Sequence, residues 1–127
     1  MTADPAPSRP LHLALVTANP LRIGGMQTFA RFLVETACTA GWRVTVALSG
    51  ENIFDGIGGS LDVQQVDWVD ADLAGDRRYR LPTIIARRRW FREHRPDVAL
   101  FVQSSNTPFR ASVVGAVVAG TPVAMTH

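Results

Sequence analysis

Lysine is absent: all thirteen basic residues of this 127-residue chain are arginine. A phosphate-binding loop of the G-x-x-x-x-G-K-[ST] kind is thereby excluded, because nothing can supply its lysine. Cysteine is nearly absent too. The single one, Cys38, excludes a disulfide scaffold and a cysteine-built zinc site, and it fits a reducing compartment. No uninterrupted apolar run approaches the roughly eighteen residues of a membrane-crossing helix. Histidine occurs only at 12, 94 and 127, with no metal-ligand spacing, so no metal site is expected; separately, no cofactor is expected. What remains is ordinary globular material, 46% apolar and 19% charged, enough for one hydrophobic core and too little for two. The net charge of +2 is too small for a global nucleic-acid footprint, and no nucleic-acid partner is expected.

Residues 1–10 hold three prolines and almost nothing that packs; they read as a disordered tail ahead of one domain over 11–127. The apolar run Leu11 to Ala18 follows only one arginine and lacks a small-x-small cleavage pattern, so it reads as a buried strand rather than a signal peptide. Cytoplasmic residence is the matching expectation. Leu11 to Thr17 is the first strand, covered on both faces. A helix follows in which Met26, Phe29, Ala30, Leu33, Ala37 and Ala40 share a stripe. Arg31 and Glu35, four apart, can pair on its other side. Gly41 stops it. Arg43 to Leu48 is a β-branched second strand. After a glycine-rich loop, Leu61 to Val66 is a third strand, less apolar and nearer the sheet edge. A helix over about Arg80 to His94 is ended by Pro96. Asp97 to Val102 is a fourth strand. Thr107 and Pro108 read as an N-cap and a first-turn proline, opening a helix buried against the sheet to about Ala119. Gly120 closes it, and Thr121 to Thr126 is a fifth strand.

Strand and helix alternate throughout, which predicts an α/β fold: a Rossmann-like doubly wound parallel sheet of about five strands with helices on both faces. With strand order 3-2-1-4-5, ligands are expected outside the carboxyl ends of the strands, between the first and the fourth. Asn19 to Gly25, Gln103 to Asn106 and His127 are the segments predicted to meet there. Gly24 and Gly25 stand directly before a helix, where bare backbone and free N–H groups suit a phosphate; a glycine turn that merely starts a helix is the plainer alternative. The spacing argues against a nicotinamide dehydrogenase, whose G-x-G-x-x-G lies tight against the first strand. Glu51 alone stands near the acid position of that pattern.

Four elements in order resemble the N-terminal domain of a GT-B glycosyltransferase, more narrowly one of the family-4, retaining type. They are Gly24-Gly25-Met26-Gln27-Thr28-Phe29 with its helix and Gly41-Trp42-Arg43-Val44-Thr45-Val46; Arg95-Pro96-Asp97-Val98; Gly120-Thr121-Pro122-Val123; and Thr126-His127. Gln27 stands where the family often has glutamate, and Trp42 where it commonly has histidine. The resemblance implies a hexosyltransferase-type enzyme moving a sugar from a nucleotide-sugar donor to a sugar, lipid-linked or small-molecule acceptor. It implies donor diphosphate at Gly24 and Gly25 and a catalytic role for His127 at the transferred sugar. Asn19, Gln103, Ser104 and Asn106 would line the acceptor or cleft edge. A second Rossmann-like domain, which in the family holds the nucleotide, is implied as the missing partner, so 11–127 reads as an incomplete, acceptor-side domain, inactive alone. The alternative is a stand-alone Rossmann-like module that binds a phosphate-bearing ligand or a protein without catalysis.

Eight of the thirteen arginines fall between Arg77 and Arg95. A helical wheel puts Leu81, Ile84, Ile85 and Phe91 on the core stripe with Arg88 intruding. Arg87, Arg89 and Arg92 fall on the flanks, and Trp90 points away from the core. This pattern suits an anionic membrane surface, peripheral on its inner face. It equally suits a solvated face paired with Asp67, Asp70, Asp72 and Asp76. Cys38, on a helix flank with no histidine close in sequence, reads as a structural thiol.

Overall fold

The computed structural model describes residues 10–19, 25–50, 52–68, 81–102 and 109–126. Strands β1 (His12–Asn19), β2 (Arg43–Gly50), β3 (Leu61–Gln65), β4 (Val98–Val102) and β5 (Val123–Thr126) alternate with helices α1 (Gly25–Thr39), α2 (Leu81–His94) and α3 (Arg110–Val118). The strands form one sheet in the order β3-β2-β1-β4-β5, and every pair is parallel. This is the predicted doubly wound α/β fold, with the order reversing between β1 and β4. The least apolar strand, β3, is an edge strand, as its composition implied.

The two faces follow from the alternation of side chains along each strand. Leu13 and Leu15 point to one face with Val44, Val46 and Leu48, and there Ala30, Val34, Ala37 and Cys38 of α1 cover them. Ala14, Val16 and Ala18 point to the other face with Ala47, Ala99 and Phe101. Phe91 of α2 and Ala116 of α3 close that side, with Phe109 beside them. Moving left from β1 to β2 and right from β3 to β5 puts α1 opposite α2 and α3, because parallel crossovers are right-handed.

The α1 stripe is rotated from the sequence expectation. Ala30, Val34, Ala37 and Cys38 are buried, whereas Phe29 is 41% and Phe32 60% exposed, and Ala40 is exposed. Two alanines against the sheet let the helix axis come close, so the bulkier phenylalanines turn outward. Arg31 pairs with Glu35 at 2.8 Å as their spacing suggests. Its Nη1 also donates to the carbonyls of Ile53 (2.6 Å) and Asp55 (3.0 Å), tying the β2–β3 loop to the helix.

Helix ends explain the punctuation. At α1 the Trp42 N–H bonds the Ala37 carbonyl and the Gly41 N–H the Cys38 carbonyl, each at 3.0 Å. At α3 Thr121 and Gly120 do the same to Ala116 and Val117. Both are Schellman ends, with Gly41 at φ 87° and Gly120 at φ 83°, a conformation that glycine adopts without steric cost. The start of α3 differs from expectation. Its N-cap is Phe109, with no side-chain cap bond, rather than Thr107; Thr107 and Pro108 lie outside the described residues. The buried Phe109 side chain sets where the helix begins.

Candidate functional site

The carboxyl edge of the sheet is built by register. Asn19 ends β1 opposite Gly50 of β2. Val102 ends β4 beside Thr17 and is paired on its other side with Thr126 of β5. The chain re-enters regular structure at Gly25, the first residue of α1. The amino terminus of α1, the last residue of β1 and the ends of β4 and β5 therefore share one edge, at the crevice where strand order reverses. The first-turn N–H groups of α1 have no partner within the helix, and the helix dipole adds partial positive charge there. No acidic residue occupies that first turn. The α1 terminus is chemically suited to an anion.

Of the sequence-predicted residues, Asn19 and Gly25 fall on this edge. Gly24, Gln103, Ser104, Asn106 and His127 lie outside the described residues, although their neighbours Gly25, Val102 and Thr126 mark where the chain arrives and leaves. Trp68 was not singled out from sequence. It is buried just past the end of β3, and its backbone N–H donates to Ser49 Oγ at 3.2 Å. Its place in an acidic stretch concealed it.

The arginine-rich helix α2 departs most from its wheel. Phe91 is buried as expected, but Leu81 is 68% and Ile85 46% exposed. Arg87 turns inward instead: its guanidinium lies 4.7 Å from the Trp68 ring centroid, and its Nε donates to Ser112 Oγ at 3.3 Å. Trp90, expected to point away from the core, packs against it. Its ring stacks on His94 at 4.0 Å and meets the Trp68 and Phe91 rings edge-on at 5.0 and 4.9 Å. Its indole Nε1–H donates to Gln64 Oε1 at 3.1 Å. His94 then bonds Trp90 O through Nδ1 (2.8 Å) and Gln64 through Nε2 (3.0 Å). Apart from Phe91, this face thus rests on the Trp90 ring contacts, the cation–π contact of Arg87 with Trp68 and hydrogen bonds to β3 and α3, most of which apolar periodicity cannot reveal. Arg89 and Arg92 remain exposed, and Arg88, which the wheel had intruding on the core stripe, is half-buried.

A second polar cluster lies at the opposite, amino-terminal edge. His12 is buried, with Nε2 2.8 Å from Thr45 Oγ1. Its backbone N–H donates to Asp97 Oδ2 at 2.7 Å, and Asp97 N–H returns a bond to the His12 carbonyl at 2.8 Å. Burial lowers the His12 pKa below its usual 6.5, reinforced by the positive charge of Arg43. The ring is a neutral structural element far from the carboxyl edge. Cys38, buried in the core, has its thiol pKa raised by that burial, which disfavours the nucleophilic thiolate. Among the described residues no three His, Cys, Asp or Glu side chains come together as a metal site, and no helix is long and apolar enough to cross a membrane. No family model, curated protein or solved structure matches the chain.

Proposed function

We propose that this chain is the acceptor-side domain of a GT-B glycosyltransferase of the family-4, retaining type, acting on a nucleotide-sugar donor. The observation that carries the reading is the 3-2-1-4-5 parallel sheet, in which the glycine-led terminus of α1 and the ends of β4 and β5 open on one edge. Those are the points at which Gly24-Gly25, Gln103 to Asn106 and His127 attach in the chain. Glycosyl transfer builds positive charge on the sugar and negative charge on the departing diphosphate. Backbone N–H groups at the start of α1 would stabilise the diphosphate, and the His127 imidazole would hydrogen-bond the sugar. No metal enters this scheme. A second, nucleotide-binding domain supplies the opposite wall of the cleft.

Two measurements test the reading. Residues 1–127 alone are expected to bind a panel of nucleotide sugars more weakly than micromolar in calorimetry. A few hydrogen bonds at about 1 kcal/mol each fall short of the about 8 kcal/mol that micromolar affinity requires. Joined to its nucleotide-binding domain, the protein should transfer sugar, and Gly25→Val should cripple transfer by obstructing the approach of diphosphate to α1. Saturable low-micromolar binding by the chain alone would overturn the reading in favour of a stand-alone binding module. Full turnover by Gly25→Val would reduce the glycine pair to a turn.

A further inference from the structure

Helices α2 and α3 lie side by side on one face of the sheet, so their outer sides form a single surface. Gly115 sets their separation: a Cβ there would stand 2.5 Å from the Arg87 Cβ and 2.9 Å from the Arg88 backbone nitrogen. On α2, Leu81, Ile85, Arg88 and Arg92 follow at intervals of four, three and four, which places them on one ridge. Arg95 continues it just past the helix end, and Arg89 flanks it. Arg88, Arg89, Arg92 and Arg95 line one open concavity with Ile85 and a single carboxylate, Glu93. Among the described residues no hydrogen bond or ion pair holds any of these four guanidinium groups. On α3, Val117 (60%) and Val118 (56%) are exposed as well.

We propose that this face docks on an anionic lipid surface. The four arginines would meet headgroup phosphates, and Leu81, Ile85, Val117 and Val118 would enter the boundary layer beneath them. The pairing of cations with exposed aliphatic side chains selects this partner. A bilayer interface rewards both, whereas a soluble polyanion gains nothing from the aliphatic groups. Single-stranded nucleic acid would want a free aromatic platform, and the Trp90 ring is already stacked on His94. The surface lies on a helical face of the sheet rather than at its carboxyl edge, so the inference stands apart from the sugar-transfer reading.

Co-sedimentation of the chain with vesicles tests it. Vesicles of equimolar phosphatidylglycerol and phosphatidylcholine should retain the protein, pure phosphatidylcholine should not, and added salt should release it. Replacing Arg88, Arg89, Arg92 and Arg95 by glutamine should weaken binding about fivefold per arginine. The double variant Leu81→Ser, Ile85→Ser, which keeps every charge, should weaken it severalfold with an unchanged far-ultraviolet dichroism spectrum. Absence of binding to the anionic vesicles would overturn the proposal, as would equal binding to both vesicle types. Unchanged vesicle binding by the double serine variant, together with equally tight binding to soluble heparin, would overturn it by showing a general polyanion patch.

Discussion

The two faces of the sheet are packed by different rules. Under α1 the strands present branched aliphatic side chains, Leu13, Leu15, Val44, Val46 and Leu48, and the helix meets them largely with small residues. Under α2 and α3 the strands present mostly small ones, Ala14, Ala18, Ala47 and Ala99. The volume there comes from aromatic rings, Trp68, Phe91, Phe101 and Phe109, that touch in a chain from Trp90 to Phe109. Polar groups are built into this second face as well: His12 on Thr45, and Arg87 between Trp68 and Ser112. An interior filled by a few large rings depends on each of them more than one filled by many methyl groups, because a single truncation opens a larger void.

That contrast yields the largest expected effect. Phe91 is fully buried at the centre of the aromatic chain, and Phe91→Ala should cost about 3–5 kcal/mol. Val34→Ala, at an equally buried position on the other face, should cost about 2 kcal/mol, the worth of the methyl groups lost plus a small cavity. Urea unfolding of the two variants checks the order. A larger loss at Val34 would show that the aliphatic face carries the fold.

The next effect sharpens the same contrast at the helix–helix seam. Gly115→Val would force a side chain into the Arg87 Cβ and the α2 backbone, atoms that cannot rotate away. Overpacking of this kind costs about 1–3 kcal/mol, and the gain in helix propensity over glycine returns less than about 1 kcal/mol. A net loss near 2 kcal/mol is expected, with the Trp68–Arg87 contact disturbed in tryptophan fluorescence. An unchanged midpoint would mean that α2 and α3 can separate freely.

How far the sequence foretold each face follows from the kind of packing. Strand identity and order were legible because a parallel sheet needs short apolar runs separated by helices, and Gly41 and Gly120 end α1 and α3 as their positions suggested. The stripe of α1 was only partly legible: Phe29 satisfies an apolar count but stands 41% exposed, since hydrophobicity does not record how closely Ala30 and Ala37 allow the helix to approach. On α2 the wheel was misleading. It gave Leu81 and Ile85 to the core and Trp90 to solvent, because no apolar scale anticipates a half-buried Arg87 on a tryptophan ring or a Trp90 bonded to Gln64. At the candidate site, Asn19 and Gly25 follow from the switch-point rule, whereas Trp68 on Ser49 depends on a tertiary contact that no local pattern encodes.

A polar group buried in the aromatic face makes its stability respond to pH. The folded-state pKa of His12 is depressed below 6.5, first by burial and then by Arg43; His94 and Asp97 also face the ring. Above 6.5 both folded and unfolded states carry neutral imidazole, and the stability is fully present. As pH falls below 6.5 the unfolded chain takes up the proton first, so stability declines until the folded-state pKa is reached. Urea midpoints measured across this range for wild type and His12→Gln should converge as the pH falls. A difference that stays constant would mean that the ring is solvated in the folded state.

The smallest effect concerns how the helices of the two faces end. Gly41 closes α1 and Gly120 closes α3, yet α2 is followed by Arg95 at φ 48°, the only positive-φ residue other than glycine among the described residues. The Arg95 N–H still reaches the Phe91 carbonyl at 2.9 Å, so the turn is made with a Cβ in a left-handed conformation that costs about 1–2 kcal/mol. Glycine would remove that cost but give the unfolded chain more freedom, offsetting about 0.4–1 kcal/mol. Arg95→Gly should therefore raise stability by about 0.5–1 kcal/mol, seen as a higher urea midpoint with an unchanged slope. Because Arg95 also belongs to the exposed basic ridge, the same variant should bind anionic vesicles more weakly while folding more tightly. A destabilised Arg95→Gly would mean that the arginine side chain holds the end of α2 by contacts stronger than the strain at its backbone.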